Sequence, residues 1–191
     1  MANPALVDVR WGWDEAAFHA LNGLAWPWLD AVFVAASSRE FGAVALVGFM
    51  GLLAVRLRRA AVLPIVQLAV AFGVSDSMGA RVLKPGFARL RPSFALSDAV
   101  RVLSPAADVG SMPSLHAANA FAVAVVVTMA WPRAGLVALP VAGLIAVSRV
   151  GVGVHWPSDV LAGALYGALV GVLVVLSARR AVARRRAAAP E

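Results

Sequence analysis

The spacing of its charges limits what this chain can fold into more than any other feature. Apolar runs at 41–55, 60–83, 114–131, 134–147 and 157–176 carry few charged side chains, and arginines gather where runs stop. RLRR (Arg56, Arg58, Arg59) closes one run, and ARRAVARRR closes the last. Only 14% of the residues are charged and 61% are hydrophobic, where a soluble domain carries about a quarter charged residues. Runs of this kind suit a bilayer. Roughly 20 apolar residues of helix cross a hydrocarbon core about 30 Å thick, and a helix satisfies its own backbone polar groups.

A less apolar run at 15–36, with Asn22 and Pro27 inside it, supplies a sixth candidate span. The expectation is an all-α, six-transmembrane helix bundle forming a single domain over residues 1–191. Residues 1–14, with Trp11 and Trp13, read as an interfacial segment, SSRE (37–40) as a turn, and Pro140 as a kink in the fifth span. The N-terminus has no basic start followed by a clean apolar core, so no cleavable signal peptide is expected. Without cysteine, neither a disulfide framework nor a thiolate metal site can form. The net charge of +7 sits beside apolar runs and is not interleaved with aromatics, which argues for membrane topology and against nucleic acid.

The positive-inside pattern puts Arg10, Arg56, Arg58, Arg59, Arg133 and the basic tail (179–191) in the cytoplasm. The polar connection at 84–113 and the segment Ser148–Asp159 then share the outer face. A connection as long as 84–113 in so small a protein is usually functional. Topology alone therefore brings segments 84–116 and 148–159 together.

These segments hold chemistry. In SRVGVGVHWPSD, Asp159 follows His155 by four residues, one turn apart on a helix. A carboxylate there can take the proton of one imidazole nitrogen and leave the other nitrogen's lone pair to attack an electrophile. Alone, such a pair also describes an ordinary helix surface. Arg149 offers a planar charged fork for an anion. Lys84, the only lysine beside sixteen arginines, stands seven residues before Arg91 on the other segment. Those two cations could close on an anion or meet lipid headgroups. Ser114, just ahead of an apolar helix, is a natural N-cap at a helix end suited to anions, with His116 in the first turn. Small residues descend from each candidate: His116, Ala120, Ala124, Thr128 on one span, and Asp159, Gly163, Gly167, Gly171 on another. Such stripes let membrane helices approach closely. Asp76 lies deeper, and an ion pair with Lys84 or Arg81 is expected for it.

Taken in order, K-x6-R-P (Lys84, Arg91, Pro92), P-S-x-H (Pro113, Ser114, His116) and S-R-x5-H-x3-D (Ser148, Arg149, His155, Asp159) resemble the three signature motifs of the type 2 phosphatidic acid phosphatase family. Its superfamily also includes vanadium haloperoxidases and acid phosphatases. The resemblance implies that His155 attacks phosphorus with Asp159 orienting it, and that His116 protonates the leaving oxygen. It implies that Lys84, Arg91, Ser114 and Arg149 hold the phosphoryl oxygens, with no metal and no cofactor. Leu115 stands where the family usually has glycine, which bears on the fit of the phosphate pocket. The implied protein is a multi-pass enzyme of the bacterial inner membrane, its site facing the periplasm or cell exterior. Its partners are a lipid phosphate substrate and membrane lipids. The expected substrate is undecaprenyl diphosphate, with phosphatidylglycerol phosphate, phosphatidate and lipid A 1-phosphate as alternatives. A carrier that binds a lipid phosphate without turnover is the reading from another class.

Overall fold

Helices begin where the sequence stiffens the chain. Prolines open α2, α6, α8 and α9, where a missing N–H costs nothing and the fixed φ suits a first turn. The structure, a computed structural model, describes residues 6–96, 100–104 and 109–188, with Arg186 described by its backbone alone. Positions 97–99 and 105–108 of the expected outer connection, 1–5 of the interfacial segment and 189–191 of the tail lie outside these residues. Among the described residues the elements are α1 (Gly12–Asn22), α2 (Pro27–Ser37), α3 (Arg39–Leu57), α4 (Val62–Met78), α5 (Lys84–Phe87), α6 (Pro92–Ala95), α7 (Leu115–Ala130), α8 (Pro132–Gly151) and α9 (Pro157–Ala187). A π-helical turn, Gly79–Leu83, joins α4 to α5. Among the described residues the fold is all-helical, with isolated bridges alone pairing Val7 with Arg89 and Leu90 with Gly110.

Among the described residues three stretches are long and apolar enough to cross a membrane: Arg39–Phe87, Pro132–Gly151 and Pro157–Arg185. The first turns back at Arg58, where φ is +52° between α3 and α4. The apolar α7 adds a shorter helix of 16 residues. Pro140 is carried inside a continuous α8. The sixth expected span is not one helix. Residues 15–36 form α1 and α2, each of 11 residues, with a break between them. At 1.5 Å per residue each is about 16 Å long, too short to cross. Asn22 explains the break: its amide donates to the carbonyls of Arg101 and Gly151, each at 2.9 Å, which ends α1 against the site end of the bundle.

The two ends of the bundle carry different groups. At one end the Arg56 guanidinium lies 5.2 Å from the Trp131 ring and Arg179 donates to the Met129 carbonyl. At the other lie Lys84, Arg91 and His155. Arg10 departs from the expected grouping. Its neighbour Val9 accepts a hydrogen bond from Arg89, so the N-terminal segment lies at the site end, where Arg10 pairs with Asp8 at 3.0 Å.

Packing explains the small-residue stripes. A Cβ placed on Gly163, Gly167 or Gly171 would run into the carbonyl oxygens of Ser114, Ala118 and Ala122 of α7. Leu161, Leu165, Leu169 and Leu173, two positions away and about 200° around the helix, are exposed and form the outward ridge. On α7 the face against α9 is therefore Ser114–Ala118–Ala122. The stripe expected there, starting at His116, points elsewhere: His116, Ala120 and Ala124 line a cavity and Thr128 packs on Gly135 of α8. An offset of two residues turns a helix face to its opposite side.

Gly167→Ala puts a methyl group into the α7 backbone. Overpacking of this kind costs about 1–3 kcal/mol, so the melting temperature in detergent falls by about 3–10 °C, whereas Leu165→Ala on the outward ridge leaves it near wild type.

Candidate active site

His155 lies on the short connection between α8 and α9 and is 2% exposed. Gly153 makes the turn that leads to it, with φ at +85°, a conformation that side chains with a Cβ rarely adopt. The carbonyl of Arg149 then accepts from the backbone N–H groups of Val154 and His155, both at 3.2 Å. Arg149 belongs to the last turn of α8, so nucleophile candidate and cation are held by one continuous piece of backbone.

The hydrogen bonds assign the tautomer. Arg91 Nη1 lies 2.9 Å from His155 Nε2 and 2.8 Å from the Val154 carbonyl. A guanidinium can only donate, so Nε2 accepts and the ring proton sits on Nδ1. Asp159 Oδ2 is 3.5 Å from that Nδ1, within ion-pair range and beyond a hydrogen bond. Burial first, and then the charges of Arg91, Arg149 and Lys84, hold the His155 pKa well below the usual histidine range. The ring is neutral at physiological pH.

Six of the expected residues meet. Lys84, Arg91, Leu115, His116, Arg149 and His155 line one cavity of about 510 Å³. Lys84 Nζ donates to the Gly110 carbonyl at 3.0 Å, and Arg149 Nη1 to the Ser37 carbonyl at 3.1 Å and also to Ser37 Oγ. Away from the charges the cavity continues past Phe49, Val123, Val141 and Ile145, between α3, α7 and α8. It is polar at one end and apolar along its length, a shape suited to an anion carrying a hydrocarbon chain.

Other expected residues are placed differently. Ser114 occupies the N-cap position of α7 without capping it: its N–H donates to the Asp159 carbonyl at 3.0 Å. Its hydroxyl is buried and meets no hydrogen-bond partner among the described residues. Asp159 lies behind His155, outside the cavity lining. Leu115 packs its side chain onto Gly79, where a Cβ would strike it. Asp76 is not found paired with Lys84 or Arg81. It accepts from Asn119 Nδ2 at 2.9 Å, because one turn past His116 the α7 helix presents that amide to α4.

Several residues were not singled out by spacing. Arg39 at the start of α3 lines the same cavity. Arg89 is 2% exposed and reaches both Asp159 and Asp14, at 2.8 and 2.6 Å. Ser111 donates to Asp159 Oδ2. No sequence signal separates Arg89 from its neighbours, except that it lies two residues before the Arg91-Pro92 pair. Among the described residues no group of three His, Cys, Asp or Glu side chains could hold a metal ion.

The chain resembles known proteins in sequence and in structure. A family model described as PAP2 superfamily matches residues 60–183. A lipid A 4'-phosphatase of Bacteroides thetaiotaomicron is 30% identical over 132 residues, covering 66% of this chain and 59% of that protein. An undecaprenyl-diphosphatase of Sulfolobus acidocaldarius is 35% identical over 111 residues, covering 58% of this chain and 53% of that one. The chain thus spans little more than half the length of these curated relatives. The crystal structure of Aquifex aeolicus LpxE superposes with a TM-score of 0.73 at 26% identity, covering 89% of this chain and 98% of that one. A transmembrane PAP2-type phosphatidylglycerolphosphate phosphatase from Bacillus subtilis does so with a TM-score of 0.67 at 26% identity, covering 87% and 85%. Helices fit to cross a bilayer, a charged pocket at one end of them and a match over 60–183 lead to one conclusion: this chain is a multi-pass membrane protein that belongs to the PAP2 superfamily.

Proposed function

We propose that this protein is a metal-independent lipid phosphatase that hydrolyses a lipid phosphate or diphosphate at the outer leaflet of a bacterial inner membrane. The single observation carrying this reading is the shared cavity. Two imidazoles and three cations from separate stretches surround one hollow, and its other end is apolar.

The chemistry follows from the placement. Lys84, Arg91 and Arg149 grip the phosphoryl oxygens and oppose the charge that builds in the transition state. An incoming phosphate competes for Arg91, which now donates to His155 Nε2. Once Arg91 turns to the phosphate, that lone pair is released. His155 Nε2 forms a bond to phosphorus as the bond to the leaving oxygen breaks, and His116 gives that oxygen a proton. A water then attacks the phosphohistidine, losing its proton to His116, and inorganic phosphate departs. Asp159 faces the Nδ1–H throughout and steadies the cationic ring.

The outer-leaflet assignment rests on the separation of the two ends, with the arginine-rich end cytoplasmic by the positive-inside rule. Among substrates we favour undecaprenyl diphosphate. Arg39 adds a fourth cation to the cavity, a further contact available to a second phosphoryl group. The similarity to an undecaprenyl-diphosphatase points the same way. Phosphatidylglycerol phosphate, phosphatidate and a lipid A phosphate are the alternatives.

Purified protein in EDTA is expected to release phosphate from undecaprenyl diphosphate. His116→Ala should lower kcat by about 10²–10⁴-fold, and His155→Ala should abolish turnover. A phosphoenzyme that is acid-labile and base-stable accumulates in a quench, while an absolute need for a divalent metal defeats the proposal. A carrier without turnover binds the lipid and yields no phosphoenzyme.

Arg39→Gln is expected to reduce kcat/KM for the diphosphate about tenfold, the loss of one exposed charge contact of about 1.4 kcal/mol. The same change leaves a monophosphate lipid near wild type. Equal losses on both lipids would remove the argument for a diphosphate.

A further inference from the structure

Arg89 is held on every side. Its Nε donates to the Val9 carbonyl at 2.9 Å, and Nη2 donates to Asp14 Oδ2 at 2.6 Å. Its Nη1 donates to Ser158 Oγ at 2.6 Å and Asp159 Oδ1 at 2.8 Å. Trp11 and Trp156 stand against the guanidinium, 4.7 and 5.2 Å from its carbon to the ring centroids. Asp14 is equally enclosed, at 0% exposure. Its Oδ1 accepts from the Ser158 N–H at 2.8 Å and its Oδ2 from the Ser158 hydroxyl at 2.5 Å. Asp14 thereby caps the first turn of α9, the turn that carries Asp159.

The N-terminal segment that delivers Asp14 is tied down as well. Val7 N–H donates to the Ala88 carbonyl at 2.8 Å, and Leu90 N–H donates to the Val7 carbonyl at 3.0 Å. Three sealed groups, two carboxylates and one guanidinium, sum to one negative charge behind His155. Without Asp14 the remainder is neutral, and Arg89 opposes any positive charge on the imidazole. The ring gains that charge when Nε2 bonds to phosphorus while Nδ1 keeps its proton.

We propose that Asp14 and Arg89 are positioning residues for the nucleophile, so that the N-terminal segment, outside the three motifs, completes the active site. The inference rests on His155 being the nucleophile. Asp14 supplies the second negative charge, and Arg89 fixes Asp159 at the height of Nδ1. Neither touches substrate, so their loss acts on the chemical step and leaves lipid binding intact.

The test uses the full chain in detergent with undecaprenyl diphosphate, reading kcat, KM and the single-turnover rate of phosphoenzyme formation. Asp14→Asn, nearly the same shape, is expected to lower kcat and phosphoenzyme formation together by about 10–100-fold, as a small misplacement of a reacting group does. KM stays unchanged. Arg89→Lys keeps the charge, cannot span both carboxylates, and shows the same split. Asp8→Asn removes an equal charge from the surface pair with Arg10 and leaves kcat at the wild-type value. Should Asp14→Asn fail to fold, Ser158→Ala removes the bridging hydroxyl and is expected to lower kcat severalfold at constant KM. A folded Asp14→Asn or Ser158→Ala protein with wild-type kcat overturns the inference, as does a rise in KM at constant kcat. A wild type inactive on undecaprenyl diphosphate, phosphatidylglycerol phosphate, phosphatidate and a lipid A phosphate alike, or an active His155→Ala protein, refutes the phosphatase reading itself.

Discussion

The approach of α9 to α7 sets the height at which everything else meets. Glycines at 163, 167 and 171 let the α9 backbone lie against the carbonyls of Ser114, Ala118 and Ala122. At the upper end of this contact the Ser114 N–H reaches the Asp159 carbonyl. In a bilayer no hydrophobic force separates one apolar surface from another, so close packing and such polar ties select the partner. Because these two helices are locked in register, the first turn of α7, with His116, and the first turn of α9, with Asp159, lie at one level. The cavity forms on the other side of α7, where α3, α4 and α8 stand further off.

Much of this was legible in the chain. Arginines at the ends of apolar runs showed a membrane bundle, and the three motifs named five of the residues that share a cavity. Spacing along one helix carries such information because it survives folding unchanged. Partners brought from afar do not. Asp14 and Arg89 are 75 residues apart, and nothing in the chain around either one identifies the other. The break after Asn22 was hidden for the same reason, since the acceptors that stop α1 belong to Arg101 and Gly151. The stripe from His116 was visible, but choosing which stripe of α7 met α9 needed a rotation that small residues alone do not supply. Asp76 misled by its charge: in an apolar setting a neutral amide one helix away served it.

The site also shows how a membrane protein keeps several cations in a confined space. Lys84, Arg91 and Arg149 each donate to a backbone carbonyl, of Gly110, Val154 and Ser37 respectively. A carbonyl fixes the direction of a charged group without adding a formal charge of its own. Behind His155 the logic reverses. There the guanidinium of Arg89 meets two carboxylates, and the excess is negative. The imidazole stands between a cationic hollow and an anionic wall, the field a ring needs if it is to gain positive charge while giving electrons forward.

The shortness of α7 has a consequence for the surrounding lipid. Its 16 residues rise about 24 Å, less than the roughly 30 Å of a hydrocarbon core, and Trp131 marks its far end. An imidazole in the first turn of such a helix sits beneath the level of neighbouring headgroups. Either the leaflet dimples around the protein, or each headgroup sinks several ångströms to reach the histidines. On the proposed reading, hydrophobic mismatch is then part of substrate access, and bilayer thickness joins the variables that govern turnover.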